Sequence, residues 1–187
     1  NSFKPGKEIK QVLPSEINAN VDHFSTLLQT AVSEKAFPGG VLLAAKDGEI
    51  FFHDAFGFHT YDKKRKMRKS DIFDLASISK VVGTTSAIMK MYDDKLIDLD
   101  DKVVTYLPQF KGRQKKYFNH KSNISIKHLL THSSGLPPFR KYFLMDEDKE
   151  SVLDSIFNTE PIYDLEEKTV YSDVGIITLG KIIEKVS

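Results

Sequence analysis

The chain has 187 residues, 40% of them apolar, with 13 Phe, 7 Tyr and no Trp, enough for one domain with a real core. Net charge is +1 and cysteine is absent, which removes the electrostatic case for nucleic acid and excludes disulfides, thiolate metal sites and cysteine nucleophiles. No apolar run approaches the roughly 20 residues of a membrane span, and residues 1–10 lack the apolar stretch of a signal peptide, although a processed chain would look the same.

Residues 1–14 read as an extended lead-in, and Ser15 as a helix N-cap. Ile17, Val21, Phe24, Leu28 and Val32 then share one face at helical spacing, and Phe37-Pro38-Gly39-Gly40 ends the helix. Residues 41–46 and 49–56 are expected strands, joined by Asp47-Gly48, the strongest short hairpin signal. The run Lys63-Lys64-Arg65-Lys66-Met67-Arg68-Lys69 has two readings, a polyanion-binding or nuclear-targeting patch and a solvated loop; charge runs in general favour the loop. Asp93, Asp94, Asp98, Asp100 and Asp101 offer charge to neutralise part of it.

From residue 77 to about 95 the spacing predicts a helix, with Val81, Ala87, Ile88 and Met91 facing inward. A short helix around 102–106 should stop at Pro108, and 109–124 reads as basic and irregular. Ser125 is placed to cap a helix reaching about His132, and residues 133–138 break it. Further helices are expected near 149–157 and from Asp173 onward. A lone hairpin is marginal in water and its edges invite pairing, so two strands alone point to more strands than this sequence supplies.

The chemistry starts at Ser77-Ile78-Ser79-Lys80. Residues three apart on a helix share a face, so the Ser77 hydroxyl and the Lys80 amine can meet. A serine at a helix N-terminus sits in a field that favours a developing alkoxide. A lysine in a partly dry site can have its pKa lowered and so help take the serine proton. The pattern alone is weak, because a capping serine and a surface lysine arise at this spacing by chance. His128 and His132, four apart, have the spacing of metal-binding histidines on a helix, yet no Glu follows His128 and no third ligand is evident. Ser133 and Ser134 stand beside His132 where a turn is expected. No metal and no cofactor is assigned.

Context strengthens the serine–lysine pair. Five blocks occur in order: Phe37-Pro38-Gly39-Gly40-Val41 with Asp47-Gly48; Phe56-Gly57-Phe58; Ser77 to Lys80; His128 to Pro137; and Tyr171-Ser172-Asp173. Together, over about residues 20–187, they resemble the serine β-lactamase-related hydrolases, which include class C β-lactamases, penicillin-binding proteins, D-alanyl-D-alanine carboxypeptidases and esterases. The resemblance implies an α+β fold of the β-lactamase/transpeptidase type, an antiparallel hairpin plus a helical region over about 77–187. Residues 15–187 would then be the N-terminal portion of such a domain.

The resemblance also assigns roles. Ser77 would be acylated, Lys80 would be its lysine partner, and Tyr171 would move the proton. A tyrosine's reference pKa is about 10, so it needs a nearby cation to work near neutrality, and Lys80 is the candidate. Tyr92-Asp93-Asp94 fits the same short pattern less well, being inside the helix that Ser77 opens. At Asp173 the sequence departs from the family, whose β-lactamases carry Asn. An ionised Asp only accepts hydrogen bonds, so Asp173 is expected to pair with Lys80, keep it protonated and leave Tyr171 as the base.

The family's domain is about twice this long. Its C-terminal half carries the remaining strands, a third motif and one oxyanion-hole N–H, all expected to be missing from this chain. The implied activity is acyl-enzyme hydrolysis of an amide or ester, namely a β-lactam, a D-Ala-D-Ala peptide or a small ester. The alternative is an incomplete fragment or inactive relative with a binding or scaffold role. Expected partners are a small-molecule or peptidoglycan-like substrate and either a complementing C-terminal fragment or a second copy at the open sheet edge. The expected location is periplasmic or extracellular.

Overall fold

In the computed structural model residues 10–11 and 21–187 are described; the expected Ser15 cap, Ile17 and most of the lead-in lie outside them. The chain divides into two compact units, the first ending at Asp74 and the second running from Leu75 to Ser187.

The first unit contains β1 (Lys10–Gln11), α1 (Val21–Ser33), β2 (Gly39–Lys46) and β3 (Glu49–Gly57). The hairpin forms where Asp-Gly predicted it: Asp47 and Gly48 both have positive φ, 53° and 83°, the backbone of the turn whose twist matches paired strands. β2 and β3 pair antiparallel from Gly39↔Gly57 to Lys46↔Glu49, with a register shift between Ala44 and Ala45. The sheet order is β1-β3-β2. A third strand, β1, pairs parallel to β3 within the stretch read as lead-in. Among the described residues the outer edge of β2 is unpaired. Gly57 is required where it stands: its φ is +70°, and a Cβ there would lie 2.3 Å from the Pro38 carbonyl.

On α1, Val21, Phe24, Leu28 and Val32 are half-buried, as their spacing predicts. Phe24 meets Phe51 and Phe52 with ring centroids 6.3 and 5.5 Å apart, and Phe52 stacks on the buried Phe56. The basic run is an ordered loop. Asp71 gathers it by accepting from Arg65 at 2.8 Å, from the Arg68 N–H at 2.7 Å and pairing with His59 Nε2 at 2.7 Å. Lys64 pairs with Asp62 and Lys69 with Asp54, so local carboxylates offset part of the charge.

The second unit is helical. A π-helical turn, Lys80–Thr85, leads into α2 (Ser86–Asp93). The single regular helix expected over 77–95 is thus corrected. Ile88 and Met91 are buried as expected, while Val81 is exposed. In a regular helix Val81 and Ile88 would share a face, but the wider turn, with its extra residue, carries Val81 off it. The Thr85 and Ser86 hydroxyls donate back to the Lys80 and Val81 carbonyls, each at 3.1 Å, serving acceptors that the wide turn loosens.

The remaining helices are α3 (Val103–Tyr106), α4 (Phe118–Asn123), α5 (Ile126–Leu130), α6 (Lys149–Phe157) and α7 (Asp173–Val186). The stretch 109–124 is therefore not wholly irregular, since α4 forms there. α5 has the Ser125 cap the sequence predicts, completed by the His128 side chain. The core joins Val103, Phe110, Ile124, Ile126 and Leu129 to Leu179 and Ile182 of α7, all fully buried. No helix among the described residues is long and apolar enough to cross a membrane.

Candidate active site

Ser77 is exposed and lies at the mouth of the second unit's first helical segment. The chain enters it through three successive tight bonds, Ile78 N–H to Leu75, Ser79 N–H to Ala76 and Lys80 N–H to Ser77, at 2.9–3.1 Å. Ala76, just before the nucleophile candidate, has φ +43°. For a residue with a Cβ that conformation costs of order 1 kcal/mol, a strain of the kind that functional sites retain.

One turn on, Lys80 Nζ donates to Ser77 Oγ at 3.0 Å. The same ammonium lies 5.4 Å from the centre of the Tyr171 ring and 3.1 Å from Asp173 Oδ1. The last contact is an ion pair rather than an aligned hydrogen bond, and the buried Oδ1 is left without a hydrogen bond. Ser77, Lys80, Tyr171 and Asp173, 96 residues apart at the widest, are thus brought together. Tyr92 sits at the far end of α2.

Alternation in the extended approach to α7 explains how Tyr171 and Asp173 reach the site. Ser172 between them points inward, is fully buried and caps α7. Its hydroxyl donates to the Pro137 carbonyl at 2.7 Å and accepts the Gly175 N–H at 3.2 Å. The Asp173 N–H donates to the Pro138 carbonyl at 2.9 Å. The breaker at residues 133–138 therefore has a function: it presents carbonyls that hold the tyrosine segment.

The electrostatics divide the two proton carriers. The Tyr171 phenol and then the Asp173 carboxylate stabilise the ammonium and raise Lys80 above its ordinary value. Donation from Lys80 and then from Ser77 holds the Tyr171 phenol below its ordinary value. Lys80 is accordingly the fixed cation and Tyr171 the group nearer to giving up its proton.

His128 and His132 do not converge. His128 Nδ1 accepts the Ser125 N–H at 3.0 Å, and Nε2 lies 3.1 Å from Glu166 Oε1. Ser125 Oγ is also 3.0 Å from His128 Nδ1, so Ser125, His128 and Glu166 lie in triad-like order. Ser125 is buried and caps α5, however, which denies it to a substrate. His132 Nδ1 accepts the Ser172 N–H at 3.1 Å. Among the described residues no group of three or more ligating side chains could hold a metal ion. By sequence His132 is marked only as a metal-ligand candidate and Ser172 only as part of the Tyr171 block; their hydrogen bonds around the tyrosine segment have no sequence signal.

The β-lactamase family model matches residues 19–187, and the chain belongs to that family. It is 32% identical over 216 residues to an N-acetylmuramyl-L-alanine amidase of Bacillus subtilis (strain 168), covering 99% of this chain and 48% of that protein. It is 31% identical over 173 residues to a penicillin-binding protein of the same organism, covering 88% of this chain and 36% of that protein. The solved structure of EstCE1, a hydrolase with promiscuous acyltransferase activity, superimposes with a TM-score of 0.72 at 26% identity, covering 88% of this chain and 46% of its own. The chain thus spans less than half the length of the two curated relatives. The fold is β-lactamase/transpeptidase-like, as the sequence blocks imply, and the family relationship is that of a hydrolase.

Proposed function

We propose that this chain carries the nucleophile and the proton-transfer groups of a serine hydrolase that works through an acyl-enzyme. The observation that carries the reading is the Ser77 hydroxyl 3.0 Å from the Lys80 ammonium, beside a tyrosine whose phenol is held below its ordinary value. Tyr171, ionised next to that cation, takes the proton of Ser77. The alkoxide attacks the carbonyl carbon of an amide or ester, and the protonated tyrosine returns the proton to the leaving amine or alcohol. Water then attacks the acyl-serine and gives its proton to Tyr171, which passes it to the Ser77 oxygen as the ester bond breaks and the carboxylic acid leaves. Lys80, kept charged by Asp173, stabilises the phenolate without itself losing a proton.

An amide or ester joined to a peptidoglycan-like or β-lactam framework is the substrate class that suits relatives named as an amidase and a penicillin-binding protein. A substrate of that class favours a location in the periplasm or beyond the cell. Among the described residues the outer edge of β2 is unpaired, which favours a second reading alongside the first: a further segment or a second copy pairs there. Oxyanion donors are often the largest catalytic contribution, and loss of one costs about 10²–10³ in rate. Labelling with a fluorescent penicillin or a fluorophosphonate tests the proposal. Label on the full-length protein that disappears in Ser77→Ala supports it; label that persists in that variant overturns it.

A further inference from the structure

His132 follows α5 in the left-handed conformation, φ +57°. Its carbonyl accepts the Val170 N–H at 2.8 Å, and its Nδ1 accepts the Ser172 N–H at 3.1 Å. Between those two residues stands Tyr171, whose ring lies 4.8 Å from the imidazole, centroid to centroid, at 45°. Two N–H groups two residues apart on an extended chain ordinarily meet carbonyls of two different residues. Here one residue serves both, a side-chain nitrogen replacing the second carbonyl, and its ring supports the phenol in between.

We propose that His132 is the positioning residue for Tyr171: neutral, with Nδ1 unprotonated, it clamps the chain on both sides of the phenol, and protonation at Nδ1 opens the clamp. This rests on the serine-hydrolase reading above for its catalytic consequence, though not for its geometry. An imidazolium carries a proton on both nitrogens and accepts at neither, so the Ser172 N–H loses its partner when His132 gains charge. The charged groups facing the ring are the Lys80 ammonium from the π-helical turn and the Asp173 carboxylate from α7, with the Tyr171 ring tilted against it. Burial first, and Lys80 in the same direction, lower His132 below its ordinary value, while Asp173 opposes them. The clamp is therefore closed near neutrality and opens as pH falls through that lowered value.

Two variants separate the roles of the ring and of the acceptor. His132→Asn keeps a side-chain acceptor and tolerates the left-handed backbone, but does not titrate. His132→Phe keeps a ring and loses the acceptor. Nitrogen-resolved NMR of the full-length protein follows the His132 imidazole, the Ser172 amide and the Tyr171 ring against pH. Hydrolysis of a small ester gives kcat and KM, and thermal melting checks folding. Expected are an unprotonated Nδ1 at neutral pH, and Ser172 and Tyr171 signals that move at the His132 midpoint and stay flat there in His132→Asn. Ester turnover by His132→Phe should fall at least about tenfold in kcat with KM little changed, as a misplaced catalytic group would give. A protonated Nδ1 at neutral pH, or a Ser172 amide that ignores the His132 titration, overturns the proposal. A protein that turns over no ester and takes no probe at Ser77 sinks the hydrolase reading instead, and the NMR titration still decides the clamp.

Discussion

Asp173 decides how two neighbouring groups share protons. Its carboxylate helps to raise Lys80 and also pushes the Tyr171 phenol upward against the stronger pull of Lys80 and Ser77. Asp173→Asn removes both influences, so Lys80 and Tyr171 should each titrate at lower pH. In the mechanism proposed above the rate depends on ionised tyrosine and charged lysine, so both limbs of its pH profile should move to lower pH together. The profile of ester hydrolysis by the full-length variant checks this, and an unmoved basic limb would count against Asp173 as the partner of Lys80. Ser77, Lys80, Tyr171 and Asp173 could be named from the sequence because five ordered blocks resemble the family's, the Ser-Lys spacing alone being weak. The roles of His132 and Ser172 could not, because each acts through backbone groups about 40 residues away in the chain. The breaker at 133–138 says that the chain turns but not what it turns to hold.

At the scale of elements, α4 and α6 are joined by a lysine that periodicity could not reveal. Lys121 is fully buried, donates to the Phe157 carbonyl and, at 3.0 Å, to the Thr159 carbonyl, and lies 3.9 Å from the centre of the Phe110 ring. It thereby serves carbonyls at the C-terminal end of α6, where a helix leaves acceptors unpaired. Burial pushes its pKa down to about 7. The unfolded chain, with an ordinary lysine, binds the extra proton between that value and the usual lysine range, so stability rises with pH across this window. The slope contributed by one such group is at most about 1.4 kcal/mol per pH unit. Lys121→Met should remove that slope and, by stranding the carbonyls, lower stability by about 1–3 kcal/mol for each group left unpaired. Denaturant titrations of both proteins at several pH values across the window measure it. The six residues of α4 carry no apolar stripe, which is why 109–124 read as irregular. α6 and α7, with caps and spacing both present, were readable to within a residue or two.

For the molecule as a whole, the sheet of the first unit is the exposed liability. Among the described residues β3 is paired on both sides, while β2 offers its outer edge with Leu43 about half exposed. An edge of this kind recruits another strand. The 187-residue chain, expressed alone, should associate in a concentration-dependent way, and Leu43→Lys should reduce that association. Sedimentation or light scattering over a dilution series reads the effect; a monomer that melts in one cooperative step would refute it. The hairpin was readable from Asp47-Gly48 and the flanking aromatics. β1 was not, because two residues paired in parallel carry no local turn signal, and their partner is chosen by position in the folded unit.

The wide turn at Lys80–Thr85 has a consequence for how the helix is phased. Upstream of it the chain is timed to the chemistry, with Ser77 and Lys80 on one face; downstream it is timed to the core, with Ile88 and Met91 turned inward. A continuous α-helix holds both timings to one clock of about 100° per residue, and a π-turn resets it by one residue. Gly83, with open space around it, is the natural place to take that residue out. Its deletion should close the turn to an ordinary helix, keep the α2 contacts and swing Lys80 away from Asp173 by about a quarter-turn or more. A probe that no longer labels Ser77 in a variant that melts near the parent temperature would show that the site and the core keep separate time, joined by a single inserted beat.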